Sequence, residues 1–118
     1  MKMQLATAGL LLAMAPGDLL TGRWESRPSD NGNITGVVFK NGNSLEGYIN
    51  KKPFVSGTYF FNPADSMLSF TDNGCNGTTG VYKVEFFSRA DSLHFKTIMD
   101  NCTQRRKGME RLVMGRVK

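Results

Sequence analysis

Residues 34–61 read ITGVVFKNGNSLEGYINKKPFVSGTYFF, which is three apolar-rich runs separated by two turns. Within each run, apolar residues tend to alternate with polar or small ones, the period of a β-strand that buries one face. Asn41-Gly42 separates the first two runs, and this pair favours a two-residue hairpin because both positions tolerate positive φ. Asn50-Lys51-Lys52-Pro53 is the second predicted turn. The stretch therefore predicts consecutive antiparallel strands.

The same pattern extends over residues 20–118 and predicts eight strands: Leu20–Ser26, Ile34–Lys40, Ser44–Ile49, Val55–Phe61, Met67–Thr71, Val81–Phe87, Leu93–Ile98 and Arg111–Val117. Short turns between neighbours require an antiparallel up-and-down order, and eight strands are enough to close a small barrel. We predict one all-β domain with this architecture, an open two-sheet sandwich being the alternative. Asp72–Gly80 is predicted as a loop and Asp100–Gly108 as a polar connection.

Residues 1–15 have the layout of a secretory signal peptide. Lys2 precedes an apolar stretch from Leu5 to Ala15, which is too short to cross a bilayer. Ala13-Met14-Ala15 offers the small residues that a signal peptidase needs, although Pro16 leaves the cleavage site undetermined. We expect an exported protein, periplasmic or secreted, without a transmembrane segment. The alternative is an N-terminal helix that caps the barrel and ends at Pro16-Gly17.

The charge of the chain is locally concentrated. A net charge of +5 on 118 residues comes largely from Arg105-Arg106-Lys107, Arg111, Arg116 and Lys118. We interpret it as solvated surface charge and predict no nucleic-acid partner. The alternative is contact with an anionic partner such as lipopolysaccharide or nucleic acid.

Cys75 and Cys102 are the only cysteines, and an even number behind a leader predicts a disulfide. In the chain-entropy model, a disulfide that closes a loop of roughly 30 residues stabilises the folded protein by roughly 3–4 kcal/mol. Metal binding or thiol chemistry is the alternative, but the chain has no CxxC pair.

The sequence does not predict an enzyme. His94 is the only histidine, and alternation between Leu93 and Phe95 places it on the solvent side of a strand. A nucleophile–base pair needs a partner that His94 lacks, and a metal site needs three or more clustered ligands. The acidic residues fall mostly at turns, where Asp stabilises the backbone. We expect no catalytic residue, metal or cofactor.

Aromatic residues occur in nearly every predicted strand. In the plainer interpretation they fill the interior as ordinary core. In the functional one, some line an apolar pocket that opens at one end of the barrel. The strand phase selects five candidates for contact with a ligand: Phe39, Tyr48, Tyr59, Phe70 and Tyr82.

Several motifs resemble a known family. Gly22-Arg23-Trp24 opens the first strand, and Gly74-Cys75-Asn76-Gly77, Gly80-Val81-Tyr82, Leu93-His94-Phe95 and Asp100-Asn101-Cys102-Thr103-Gln104-Arg105 follow. Together they resemble small bacterial secreted proteins with a lipocalin-like (calycin) domain, over about Leu20 to Val117. The resemblance implies structural roles for Gly22 and Trp24, with the tryptophan closing the barrel base beneath an arginine. The motif selects Arg105 as that arginine, with Arg106 or Arg116 as alternatives.

The predicted function is an exported binding protein that holds a small apolar or amphipathic ligand in the barrel mouth. The alternative is a solid-cored barrel that acts as a periplasmic or cell-surface interaction protein, or as an inhibitor of an envelope enzyme. Interior volume separates the two, because only a carrier needs a cavity larger than a few waters.

Overall fold

A computed structural model describes residues 19–118 of the chain, and the predicted signal peptide lies outside them. The described residues form a closed barrel in which each strand pairs antiparallel with its neighbours in sequence. The strands are β1 (Gly22–Ser26), β2 (Thr35–Phe39), β3 (Ser44–Ile49), β4 (Lys52–Asn62), β5 (Met67–Asp72), β6 (Gly80–Phe87), β7 (Ser92–Met99) and β8 (Val113–Arg116). A 3₁₀ turn (Cys75–Gly77) precedes β6, and a helix, α1 (Thr103–Arg111), precedes β8. The predicted up-and-down barrel is confirmed, and the open sandwich is excluded.

The barrel closes where its first and last strands meet. Trp24 of β1 lies opposite Arg116 of β8, and Ser26 lies opposite Met114. The other side of β8 pairs with β7, where Met114 faces Leu93. Because this four-residue strand has neighbours on both sides, the sheet has no free edge.

Strand β4 starts earlier than predicted. Asn50 and Lys51 have positive φ values of 53° and 69° and form the whole turn, so Lys52 and Pro53 already belong to β4. The register between β3 and β4 shifts between Gly47 and Tyr48. Gly47 pairs with Val55 and Tyr48 pairs with Pro53, so Phe54 is the extra residue of a bulge. A bulge is one of the few places in a sheet that accept proline, which cannot donate to the ladder.

The polar connection predicted over Asp100–Gly108 is partly wrong, because α1 occupies Thr103–Arg111 and the last strand is shortened to Val113–Arg116. The helix contains Gly108, and none of its residues is buried. A sequence of this kind lacks the apolar periodicity that predicts a helix.

Side chains at alternate positions of the strands form the core of the barrel. The largest fully buried ones are Trp24, Tyr82, Phe95, Leu20, Leu68, Leu93, Met114 and Val84. Gly57 occupies an inward position of β4, and any larger residue is excluded there because its Cβ would overlap the Thr71 carbonyl oxygen. Close contact between β4 and β5 at this point therefore requires glycine.

The antiparallel order gives the barrel two different ends. One end, here called the closed end, carries the turns 40–43, 62–66 and 88–91 together with the start of β1. The opposite end, called the open end, carries the connections 27–34, 50–51 and 73–79, and α1 in the connection 100–112.

Candidate functional site: a cavity at the open end of the barrel

The closed end is sealed by Trp24 and Arg116. Trp24 is fully buried, and its indole Nε1 donates to the Leu20 carbonyl at 2.9 Å. The Arg116 guanidinium carbon lies 4.2 Å from the ring centroid of Trp24, a cation–π contact. Gly22 has a φ of 127°, and a Cβ there would lie 3.3 Å from Arg116 Nη1. Glycine therefore provides both the backbone conformation and the space that the arginine uses.

Arg116 also binds backbone carbonyls at this end. Its Nη2 donates to Leu19 at 2.6 Å, and its Nη1 donates to Thr21 at 3.0 Å. The prediction that Arg105 covers Trp24 is wrong, and Arg116, one of the two alternatives, takes that position. The physical reason is register, because Arg116 is the direct cross-strand partner of Trp24 whereas Arg105 lies on α1 at the opposite end.

At the open end, Arg105 anchors α1 to the barrel. Its Nε and Nη2 donate to the two carboxylate oxygens of Asp100 at 2.8 and 3.0 Å, and Nη2 also donates to the Thr78 carbonyl at 2.7 Å. Its Nη1 lies 3.5 Å from Asp72 Oδ1. The guanidinium stacks over Phe70, with its carbon 4.9 Å from the ring centroid. Arg105 thus has a structural role, but at a different ring from the one predicted.

Arg105, Asp100 and Tyr82 form a hydrogen-bonded group, here called the Arg105 cluster. Burial and these hydrogen bonds shift the pKa values of all three side chains. Burial acts to raise the pKa of Asp100, but donors from Arg105, Tyr82 and the Cys102 N–H outweigh it, so the pKa lies below its ordinary value. Burial raises the pKa of Tyr82, and the hydrogen bond that its hydroxyl donates to Asp100 raises it further. Burial opposes the charge of Arg105, yet Asp100 outweighs that effect and raises the pKa of the guanidinium. At neutral pH the cluster is therefore an ion pair with a neutral phenol.

The disulfide confirms the predicted pairing of Cys75 with Cys102. It joins the 3₁₀ turn in the connection 73–79 to the N-cap residue of α1, with 5.8 Å between the two Cα atoms. The covalent link and the Arg105 cluster therefore hold the same helix against the same end. A disulfide also indicates an oxidising, extracytoplasmic compartment.

Beneath α1 the barrel contains a cavity of about 440 Å³. Its lining is mostly apolar, and Asp72, Gln104, Arg105 and Thr35 supply polar groups. Phe54, the bulge residue of β4, stands at the rim and is 66% exposed. The apolar side chains of the wall include Val37, Leu45, Val55, Leu68, Phe95, Met109, Leu112 and Met114.

Of the five aromatic residues predicted to contact a ligand, the structure places three at this cavity: Phe39, Tyr48 and Phe70. Tyr48 borders it from the wall, and its hydroxyl donates to Glu25 Oε2 at 2.5 Å. Tyr59 does not line the cavity, since its ring packs edge-on against Phe39 and its hydroxyl donates to the Lys40 carbonyl. Tyr82 stacks behind Phe70, with 5.8 Å between ring centroids, and is fully buried.

Sequence reasoning missed the contribution of α1. Arg105 and Met109 have the i, i+4 spacing of one helix face, Leu112 follows the helix as its C-cap residue, and all three line the cavity. Met109 and Leu112 also pack against the core. This spacing was the available signal, but the surrounding charges and Gly108 concealed it.

The remaining titratable candidates lie elsewhere. His94 is on the barrel exterior as predicted, but the expectation that it lacks a partner is wrong, because its Nδ1 lies 3.2 Å from Oε1 of its cross-strand neighbour Glu85. Within residues 19–118, no group of three or more His, Cys, Asp or Glu side chains could hold a metal ion.

The fold and cavity define a small closed antiparallel barrel with one sealed end and one hollow end. Comparison of the chain with known protein families, with curated proteins and with solved structures finds no match. Among residues 19–118, no helix has the length and apolarity needed to span a membrane.

Proposed function

We propose that this barrel is an exported, lipocalin-like binding protein that holds a small apolar or amphipathic molecule in the open-end cavity and performs no chemistry on it. The cavity of about 440 Å³ carries the proposal. Its volume lies within the range of about 300–1,000 Å³ common for small-molecule sites, and an apolar wall with a few polar groups is typical of them.

The form of the rim supports the same function. Phe54 is an exposed aromatic side chain at the opening, and Gln104 and Gly108 face the opening from α1. An apolar ligand entering here would contact carbon atoms before it reached the interior. A solid-cored interaction protein would need no such space, so the cavity favours the carrier over that alternative.

The ion pair between Arg105 of the cavity wall and Asp100 behind it favours binding over catalysis. Arg105 and Asp100 are held by each other, and both oxygens of Asp100 accept hydrogen bonds from the protein. A general acid or base must be able to exchange a proton with a substrate. The buried ion pair is better suited to fixing α1 over the cavity.

Two substitutions at one position of α1 test the proposal. Gly108 lines the cavity, and a Cβ added there meets no atom within 4 Å. We expect Gly108→Phe to fill part of the mouth and to weaken binding of the neutral fluorophore N-phenyl-1-naphthylamine at least tenfold. Fluorescence titration of the purified protein measures this affinity.

Gly108→Ala is the matched control. It should leave the affinity for N-phenyl-1-naphthylamine unchanged and stabilise the protein by about 0.5–1 kcal/mol, because alanine favours a helix over glycine by that amount. No saturable binding to the unsubstituted protein, or equal affinity in the Phe and Ala variants, would contradict a ligand site at this end.

A further inference from the structure

The open-end cavity contains a buried carboxylate that the barrel leaves incompletely neutralised. Asp72 is the last residue of β5, in the same inward phase as Leu68 and Phe70. It lines the cavity but is only 7% exposed. Its Oδ1 accepts a hydrogen bond from the Gly74 N–H at 2.9 Å and lies 3.5 Å from Arg105 Nη1.

The Arg105 guanidinium beside Asp72 pairs mainly with a different carboxylate, that of Asp100. Arg105 makes two hydrogen bonds to Asp100, whose side chain is fully buried. Both are shorter than its single contact with Asp72. Paired hydrogen bonds between arginine and a carboxylate are stronger than one contact at 3.5 Å. Two buried carboxylates therefore share the Arg105 guanidinium, and the neighbouring Arg106 donates to the backbone carbonyl of Asp100 and not to either carboxylate.

The second oxygen of Asp72 has no partner in the barrel. Within residues 19–118, Asp72 Oδ2 accepts no hydrogen bond and contacts no cation. A buried carboxylate oxygen without a donor is unfavourable, and a donor that reaches it recovers that free energy. The cavity is open at this end, so a ligand can supply the donor.

We propose that the ligand is an amphiphile with a cationic ammonium head group, which binds Asp72 while its apolar part lies deeper in the barrel. This inference rests on the proposed function, because it assigns the ligand class of the same cavity. The ammonium would donate to Asp72 Oδ2, the oxygen that Arg105 does not contact, and the tail would pack against Leu68, Phe95 and Met114. An anionic head group offers no donor to this oxygen and would be disfavoured.

Three ligands with the same ten-carbon chain test the head group: decylammonium, decanol and decanoate. Each displaces N-phenyl-1-naphthylamine in a competition titration at neutral pH, below its micelle concentration. We expect decylammonium to bind at least tenfold more tightly than decanoate, with decanol between them. In the Asp72→Asn variant, which retains the Oδ1 acceptor but carries no charge, this preference should fall to less than threefold.

Asp65→Asn is the control for overall charge. Asp65 lies in an exposed turn at the closed end, where its Oδ1 accepts from the Met67 N–H. Its replacement removes the same charge far from the cavity and should leave the preference intact. Equal affinities for the three ligands, tighter binding of decanoate, or the same loss in both variants would overturn the ammonium assignment.

The naphthylamine titration separates this failure from failure of the proposed function. If the fluorophore binds in a manner sensitive to Gly108→Phe and decylammonium has no advantage, the cavity is a ligand site of another class. If neither the fluorophore nor any decyl compound binds, both proposals are contradicted.

Discussion

Two arginines with similar contacts serve opposite ends of the barrel. Arg116 covers Trp24 at the closed end, and Arg105 covers Phe70 at the open end. The sequence motif could indicate that an arginine packs on the tryptophan, but not which one. That choice depends on the pairing of Trp24 with Arg116 across the closing seam, which is a long-range property that alternation within a strand does not encode.

Arg116→Ala should destabilise the barrel by about 2–4 kcal/mol, because it removes a partly buried cation–π contact and charged hydrogen bonds to three carbonyls. Urea unfolding monitored by Trp24 fluorescence measures the change. Arg111→Ala is the control, since the Arg111 side chain is exposed and bonds only within α1, and should change stability by less than about 0.5 kcal/mol. Equal effects of the two substitutions would contradict the sealing role of Arg116.

At the scale of elements, the strands were predictable and the helix was not. Asn-Gly at 41–42 and the alternating runs on either side predicted the hairpin of β2 and β3 correctly, but the two-residue turn was wrong. The turn spans residues 41–43, and its positive φ values fall at Gly42 (85°) and Asn43 (71°), because Lys40 pairs with Ser44. In contrast, α1 is short, charged and interrupted by glycine, so its formation depends on tertiary anchors. Those anchors are the disulfide and the Arg105–Asp100 pair, whose geometry exists only in the folded barrel.

Asp100 makes the anchoring of α1 sensitive to acid. Its pKa in the folded protein lies below the ordinary value of 3.8, so the unfolded chain binds its proton first as the pH falls. The stabilisation is therefore present above about pH 4 and is lost as the pH falls through the folded-state pKa.

Asp100→Asn tests this dependence, because it leaves Arg105 without its principal partner. We expect a cost of about 3–5 kcal/mol at pH 7, the usual effect of breaking a buried pair, and a smaller difference from the unsubstituted protein at about pH 2. Urea denaturation at both pH values measures the two differences. A difference that is the same at both would contradict the role of the ionised carboxylate.

For the whole molecule, the number and order of strands followed from the sequence, and the hollow interior did not. Eight alternating runs joined by short turns leave few arrangements other than a closed up-and-down barrel. The volume enclosed depends on details that the pattern lacks, such as Gly36, where a Cβ would overlap the Tyr48 ring, and the bulge at Phe54, both of which line the cavity. The candidate site was therefore predicted only in part, with Phe39, Tyr48 and Phe70 at the cavity but without Asp72 or α1.

The open end of this barrel is proposed to hold a small molecule. Native mass spectrometry of the protein purified from its own host, without organic solvent, would detect such a molecule. We predict one non-covalently bound small molecule per barrel, released by collisional activation and absent from Gly108→Phe prepared in the same way. Unsubstituted protein that carries no adduct, or a Phe variant that carries the same adduct at the same occupancy, would contradict the account.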